Sequence, residues 1–365
     1  MKSTQIIRVT PPHLPANTDP SDVVLSQVFN ANLASQEASG TADAAVSVER
    51  TLHGLRPGPQ SEPHMFALIA REPGETEDYL DVPAQSDDRN FDYLGYLTVT
   101  LPLRENTDTA EVAVTLDAGL APLPGEELSP EAVKALRRLY QLAADVAREH
   151  GRGTLQAGLM TSPSIGVDGD PRVRLMRELG FELAYQGGEY LVELGELPAA
   201  PLPEGIAATA FEGVSPPEPL VDGFLELLRI ASTDVPHGSL RAEPANWSRE
   251  RLAEVAAHSA RLGSQLVNVV LFDAYGPVGF SYASRHPGSN PAVAEQDLTV
   301  IHPRARRQGL GTAIKAILWR ELRARHPEVK RVCTFVSDDN AAMRAINAKL
   351  GATLTAIETV WQKRV

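Results

Sequence analysis

The chain has 365 residues, 43% of them hydrophobic and 22% charged, with a formal net charge of −13. That length exceeds what a single hydrophobic core fills, so two domains of roughly 150 to 200 residues are expected. The acidic balance argues against nucleic acid as a partner, and no apolar run approaches the ~18 residues of a membrane span. A single cysteine, Cys333, excludes an internal disulfide, and the opening residues lack the apolar core of a secretory signal. Both features point to the cytoplasm.

Along the chain, strands are expected at residues 65–71, 93–101 and 110–116, with an acidic loop-rich zone from Asp78 to Asn90 between the first two. A helix follows. Ser129 is its N-cap, Pro130 and Glu131 fill its first turn, and Gly151 stops it after His150. A strand at 155–160, a short helix at 174–179 and a hairpin over 181–192 complete the first half.

The second half repeats this order. Strands are expected at 265–272, 278–283 and 297–301, then a helix from Thr312 to about Arg325, a strand at 332–336, a helix from Asn340 to Leu350 and a last strand at 354–362. Leu94-Gly95-Tyr96 answers Val278-Gly279-Phe280, and Leu179-Gly180-Phe181 answers Leu350-Gly351-Ala352, so the halves read as an old duplication. Prolines and small residues from Glu193 to Glu204 suit a stiff linker. The expected domains are therefore 1–197 and 205–365, joined by 198–204.

The strongest chemical signal runs from Thr299 to Leu322. A strand ends near Ile301, Arg306-Arg307-Gln308-Gly309-Leu310-Gly311 forms a turn, and Thr312 opens a helix with Leu310, Ile314, Ile317, Leu318 and Leu322 on one face. Such a turn leaves backbone N–H groups unpaired at the positive end of a helix dipole, which is an anion site. Gly309 and Gly311 leave room for a pyrophosphate, and Arg306 and Arg307 add charge that pairs with it. On spacing alone, an ordinary turn with basic surface residues stays open as the alternative. The P-loop and dinucleotide fingerprints do not fit, because there is no Lys after the second Gly and no third Gly.

Arg306-x-x-Gly309-x-Gly311 resembles the (Q/R)-x-x-G-x-(G/A) motif of the GNAT superfamily of acetyltransferases. The run from Asn340 to Gly351 is similar to that family's N-x-x-(A/M)-x-x-(I/L)-(Y/N)-x-x-L-G helix. Asp234-Val235-Pro236-His237-Gly238, followed by Glu243-Pro244, Trp247 and Arg251, resembles mycothiol-synthase-like tandem GNAT proteins.

The resemblance implies an α/β (α+β) chain of two tandem GNAT folds, each a mixed, mostly antiparallel sheet flanked by helices. It implies acetyl-CoA as co-substrate, held by Thr299, Val300, Ile301, Arg306, Arg307, Gln308, Gly309, Leu310, Gly311, Thr312 and Asn340. The implied reaction is N-acetyl transfer to the amine of a small-molecule acceptor by direct attack, in a monomer or homodimer. A CoA-binding sensor or partner module without catalysis, or transfer of another acyl group, is the alternative. The first half departs from the pattern. After Leu116 it reads DAGLAPLPGEELSP, with Asp117, Glu126 and Glu127 where phosphates would sit, so that copy is expected to be degenerate.

Amine attack needs a proton acceptor. Glu295 is the first candidate and Asp297 its rival; period-two alternation places Glu295, Asp297, Thr299 and Ile301 on one face unless a bulge intervenes. A solvated strand-end carboxylate is the other reading of Glu295. Asn347 falls in an apolar stripe with Met343, Ile346 and Leu350, a candidate contact for the thioester sulfur or the pantetheine arm, or else a buried amide bonded to backbone. Many GNAT enzymes place a tyrosine acid there; Tyr275 and Tyr282 are candidate substitutes. Cys333 reads as core, and His237, Glu243 and Trp247 as acceptor-pocket or surface-turn residues. The nine histidines show no metal-ligand spacing, so no metal is expected.

Overall fold

A computed structural model describes residues 3–13, 19–71, 79–197, 199 and 201–365. The first half runs β1 (Ser3–Thr10), α1 (Asp22–Ser39), α2 (Val48–Gly54), β2 (Ser61–Arg71), β3 (Leu80–Pro83), β4 (Tyr93–Pro102) and β5 (Thr109–Leu116). It continues with α3 (Pro130–Glu149), β6 (Thr154–Thr161), α4 (Gly166–Gly169), α5 (Pro171–Glu178) and β7 (Glu182–Glu193). The second half runs β8 (Ala207–Glu212), α6 (Val221–Asp234), α7 (Arg249–Arg261), β9 (Gln265–Asp273), β10 (Gly276–Arg285) and β11 (Val293–Ile301). It ends with α8 (Leu310–Arg325), β12 (Arg331–Ser337), α9 (Ala341–Lys349) and β13 (Thr353–Arg364).

Two compact units result. The first comprises Met1–Gln186, Gly238–Arg241 and Thr355–Val365; the second comprises Gly187–His237 and Ala242–Leu354. The linker expected at 198–204 does not divide them, because the last strand of each half is shared out. Residues 187–193 of β7 pair with β12 in the second unit, and residues 357–364 of β13 pair with β6 in the first. Each exchanged piece is anchored by core side chains: Trp361 is buried beside α3 and α5, and Val192 beside α8. Asp78 of the expected loop zone, and Pro198 and Ala200 of the expected linker, lie outside the described residues.

In the first unit the strands lie in the order β3-β1-β2-β4-β5-β6-β13, with β1/β3 and β5/β6 parallel and the other pairs antiparallel. In the second the order is β7-β12-β11-β10-β9-β8, with only β11/β12 parallel. Both faces of each sheet are covered. Leu97, Leu136, Leu139 and Leu155 fill the α3 side of the first sheet, and Ile7, Val24, Val28 and Met65 the α1 side. In the second unit, Val269, Ile314, Leu318 and Trp319 fill the α8 side, and Phe224, Leu227, Val270 and Phe280 the α6 side. Each unit is thus a mixed, mostly antiparallel sheet flanked by helices.

Local chemistry sets the helix that matters in the first unit. Ser129 caps α3, its side chain accepting from the Ala132 N–H at 3.1 Å, and Pro130 pre-sets the first turn. The structure adds β1, α1 and α2 before the first expected strand, and β8, α6 and α7 before the second set. The hairpin expected over 181–192 is instead the single strand β7. Its Gly187-Gly188 pair marks close packing and not a turn: a Cβ on Gly188 would lie 2.5 Å from Leu354 Cδ1. Among the described residues no helix is long and apolar enough to cross a membrane.

Candidate active site

The second unit is open where β11 and β12 part. Their parallel ladder joins Val293–Gln296 to Arg331–Thr334 and stops, although β11 continues to Ile301 and β12 to Ser337. A bulge in β11 lies at the parting. Between the pairs Ser281↔Thr299 and Ala283↔Gln296, Asp297 and Leu298 stand opposite Tyr282 alone. Buried hydrogen bonds hold the bulge in place. Trp319 Nε1 donates to Gln296 Oε1 at 3.0 Å, Gln296 Nε2 donates to Ser281 Oγ at 2.9 Å, and Ser281 Oγ lies 3.0 Å from the Leu298 carbonyl.

The bulge overturns the expectation that Glu295, Asp297, Thr299 and Ile301 share a face. Thr299 Oγ1 lies 2.8 Å from Ser281 Oγ, and Ile301 packs into the α8 core. Val300 and Leu298 turn to the α6 side instead. Glu295 and Asp297 stay together on that α6 side, because the extra residue falls after them. Ser284 Oγ lies 3.5 Å from Asp297 Oδ2, and His286 Nε2 lies 3.7 Å from Glu295 Oε2. Ser264 Oγ at 3.0 Å from Nδ1 and Ser284 Oγ at 3.3 Å from Nε2 flank the His286 ring. Burial, with Asp297 and Glu295 adding to it, holds the Tyr282 phenol well above its ordinary pKa, so it stays protonated beside the carboxylates.

At the open end of β11 the chain turns into α8. Gly309 occupies the N-cap position at φ 78° and offers no capping side chain. The first backbone bond of the helix runs from Ala313 N–H to the Gly309 carbonyl. The N–H groups from Arg307 to Thr312 have no partner among the described residues. Arg307 itself is held at φ 65°, a region that L residues with side chains rarely occupy. Gly311 lets α9 approach, since a Cβ there would lie 2.7 Å from Ile346 Cδ1. Leu310 is buried, while Gln308 is exposed and Thr312 half-buried. Arg306 is engaged with protein: Nε donates to the Ile301 carbonyl at 3.0 Å, and the guanidinium pairs with Asp234 at the end of α6.

Asn340 caps α9, its Oδ1 accepting from Met343 N–H at 3.0 Å. Asn347, 1% exposed, accepts a hydrogen bond from Lys315 Nζ at 2.8 Å, and its own Nδ2 finds no partner among the described residues. Burial alone draws the Lys315 amine down to about 7. Tyr275 is 91% exposed in the β9–β10 turn, which does not bring it to the carboxylates. Cys333 is buried in β12. His237 Nε2 lies 3.4 Å from the Ser232 carbonyl, and the Trp247 ring is covered by Arg251. No group of His, Cys, Asp and Glu able to hold a metal occurs among the described residues.

Sequence reading missed Lys315, Gln296 and Ser281. The signal for Lys315 was present: it falls four residues from both Gly311 and Trp319, on the buried stripe of α8.

No protein-family model matches the sequence, and no curated protein matches it. Solved structures do. A tandem GNAT protein from the clavulanic acid biosynthesis pathway is similar with a TM-score of 0.67 and 21% identity, over 99% of this chain and 98% of that one. A GCN5-related N-acetyltransferase from Sphaerobacter thermophilus is similar with a TM-score of 0.61 and 15% identity, over 97% of both chains. A GCN5-related glucosamine N-acetyltransferase region in a fungal multi-domain β-N-acetylglucosaminidase aligns with all of this chain and 38% of that one, at a TM-score of 0.57 and 11% identity. These similarities span both units, so the chain carries two tandem GNAT folds.

Proposed function

We propose that the second unit moves an acetyl group from acetyl-CoA to the amine of a small-molecule acceptor by direct attack. The fold supports acyl transfer in general, and the observation that carries the finer reading is a slot between parted strands that ends at an uncapped helix N-terminus. The residues suit acetyl-CoA. The free N–H groups of Arg307 to Thr312, with the positive end of α8, fit a pyrophosphate. The facing backbone edges of β11 and β12 suit an extended amide-bearing arm, which binds as an added strand would. Bound acetyl-CoA would supply an activated acyl carbon and a thiolate leaving group.

Glu295 and Asp297 are the groups placed to accept the amine proton, with His286 beside Glu295 as a relay. A backbone N–H at the end of β11 would polarise the acyl carbonyl. Asn347 in the tyrosine position favours a second reading, a CoA-binding module without turnover. Calorimetry with CoA and steady thiol release across a panel of amines separate the two. Turnover with an amine supports the transferase, binding without turnover selects the module, and no binding removes both.

A further inference from the structure

Resting on the acetyl-transfer reading, we infer that Lys315, oriented by Asn347, donates the proton that the departing thiolate takes up.

The position follows from α8 and the strands beneath it. Trp319 is tied to Gln296, the last β11 residue laddered to β12. Lys315 lies one turn earlier on the same stripe, between that junction and the free helix N-terminus, hence over the open part of the slot. Asn347 reaches the same place from α9, which follows β12.

The hydrogen-bond count leaves donors over. An ammonium has three N–H donors, and Lys315 uses one of them, on Asn347 Oδ1. Asn347 Nδ2 is equally buried and has no partner among the described residues. Buried donors left unpaired are costly, so this spot suits an acceptor carried by a ligand.

The first unit shows that the fold does not need this pair. Counted from the first helical residue, Ala135 of α3 stands where Lys315 stands in α8. Counted back from Leu179-Gly180 and Leu350-Gly351, Met176 stands where Asn347 stands. Both belong to the apolar core of that unit. An ammonium and an amide here therefore answer to chemistry.

Charged neighbours do not set the state of Lys315. Arg320 on α8, and Arg344 and Lys349 on α9, are exposed. The strand residues Glu189, Glu295 and Cys333 share the other face of the sheet through the pairs Glu295↔Cys333 and Phe335↔Glu189, and Asp297 joins them there. Burial gives an amine near 7, able to give a proton to a thiolate and to recover it from water at neutral pH.

In the step, the acceptor nitrogen bonds to the acyl carbon as the carbon–sulfur bond breaks. The amine proton passes to the Glu295–Asp297 pair. Sulfur leaves with the bond's electrons and takes a proton from Lys315 Nζ. Solvent then returns one proton to Lys315 and accepts one from the carboxylates, leaving amide and thiol.

The test uses CoA itself, the thiol product, bound to the full chain. Thiolate absorbance in the ultraviolet is followed against pH in the parent and in Lys315→Met. An ammonium beside sulfur favours the thiolate, so near pH 7, where Lys315 still holds its proton, the bound thiol should show an up to roughly tenfold larger thiolate-to-thiol ratio in the parent, a gap that closes as Lys315 deprotonates. Coincident titrations overturn the inference. Calorimetry on the parent alone, comparing CoA with desulfo-CoA, gives an arm independent of how the variant folds. The affinity ratio in favour of CoA should pass through a maximum between about pH 7, where Lys315 gives up its proton, and about pH 8.5, where a free thiol does, and a flat ratio overturns the inference. Binding of CoA with either negative result leaves the acetyl-transfer reading standing, whereas failure of CoA to bind removes both.

Discussion

The two units share a slot and differ in what lies at its end. In the first, β5 and β6 pair only over Thr109–Val112 and Thr154–Ala157 before parting, as β11 and β12 do in the second. The difference is in the donors. The Ser129 hydroxyl takes the Ala132 N–H of α3, whereas Gly309 leaves the N–H groups of α8 free. The acidic residues of the first unit are also committed to protein. Asp117 Oδ1 accepts from Gly119 N–H at 2.9 Å, Glu126 Oε2 accepts from Leu123 N–H at 3.2 Å, and Glu127 pairs with Arg174. The first unit holds its own acidic groups at this loop, and on the proposed reading the second takes its anion from the ligand. The parted strands are common to both units, and on the proposed reading a handful of turn residues decide which unit takes a phosphate.

The largest effect should come from closing the second site. Gly309→Val/Gly311→Val puts a β-branched residue at φ 78° and a Cβ against Ile346, over the donors a pyrophosphate needs. CoA affinity should fall by about a hundredfold or more, roughly 3 kcal/mol. Titration of the parent should give one tight site per chain. Two equal sites, or a double variant that binds like the parent, would erase the contrast between the units.

Next in size is the base. Glu295→Gln should lower kcat by about 10²-fold near neutral pH and recover as the acceptor amine deprotonates on its own. Asp297→Asn is the companion measurement, because both carboxylates stand on the α6 side. A larger loss in Asp297→Asn would move the role, and parental rates in both would remove it from β11.

Much of this contrast was legible in the sequence, because glycines and capping residues have local consequences. Ser129-Pro130 and Arg306 to Gly311 act within a few residues of chain, so the two helix starts could be read directly. What was not legible depends on residues distant in sequence. The bulge after Asp297 is held through Trp319, Gln296 and Ser281, and it turned Thr299 and Ile301 away from Glu295. Helices α1 and α6 lack a capping side chain to announce them, whereas Ser248 caps α7 and was a signal left unused. The exchange of 187–193 and 355–365 between units is a choice of partner strand, which alternation alone cannot specify.

A smaller effect concerns what the polar pair costs. Lys315 has an ordinary amine value of 10.5 and a folded value of about 7, so folding at neutral pH expels a proton or buries a charge. The penalty is full below about pH 7 and fades as pH rises toward 10.5, because over that window the unfolded chain binds more protons than the folded one. Lys315→Met should therefore be more stable than the parent by on the order of a few kcal/mol near pH 7. The gain should shrink as pH rises, approaching what Met176 and Ala135 give the first unit. Chemical denaturation at pH values across that window measures it. A gain that does not change with pH would mean that Lys315 keeps its ordinary value in the folded chain.

The smallest effect sharpens the comparison most. Ser129→Ala removes the side chain that caps α3 and leaves the Ala132 N–H without its acceptor, at a cost of about 1 kcal/mol. In a unit of this size that lowers the melting temperature by roughly 2–4 °C. The variant resembles the second unit in having an uncapped helix, yet it should not gain CoA binding. Glu126 would still hold the Leu123 N–H, Asp117 the Gly119 N–H, and the added phosphate charge would meet both carboxylates at close range. Calorimetry on Ser129→Ala should thus return the same single site as the parent. A second site appearing in this variant would mean that the cap alone separates the two copies, and that the acidic loop is a bystander.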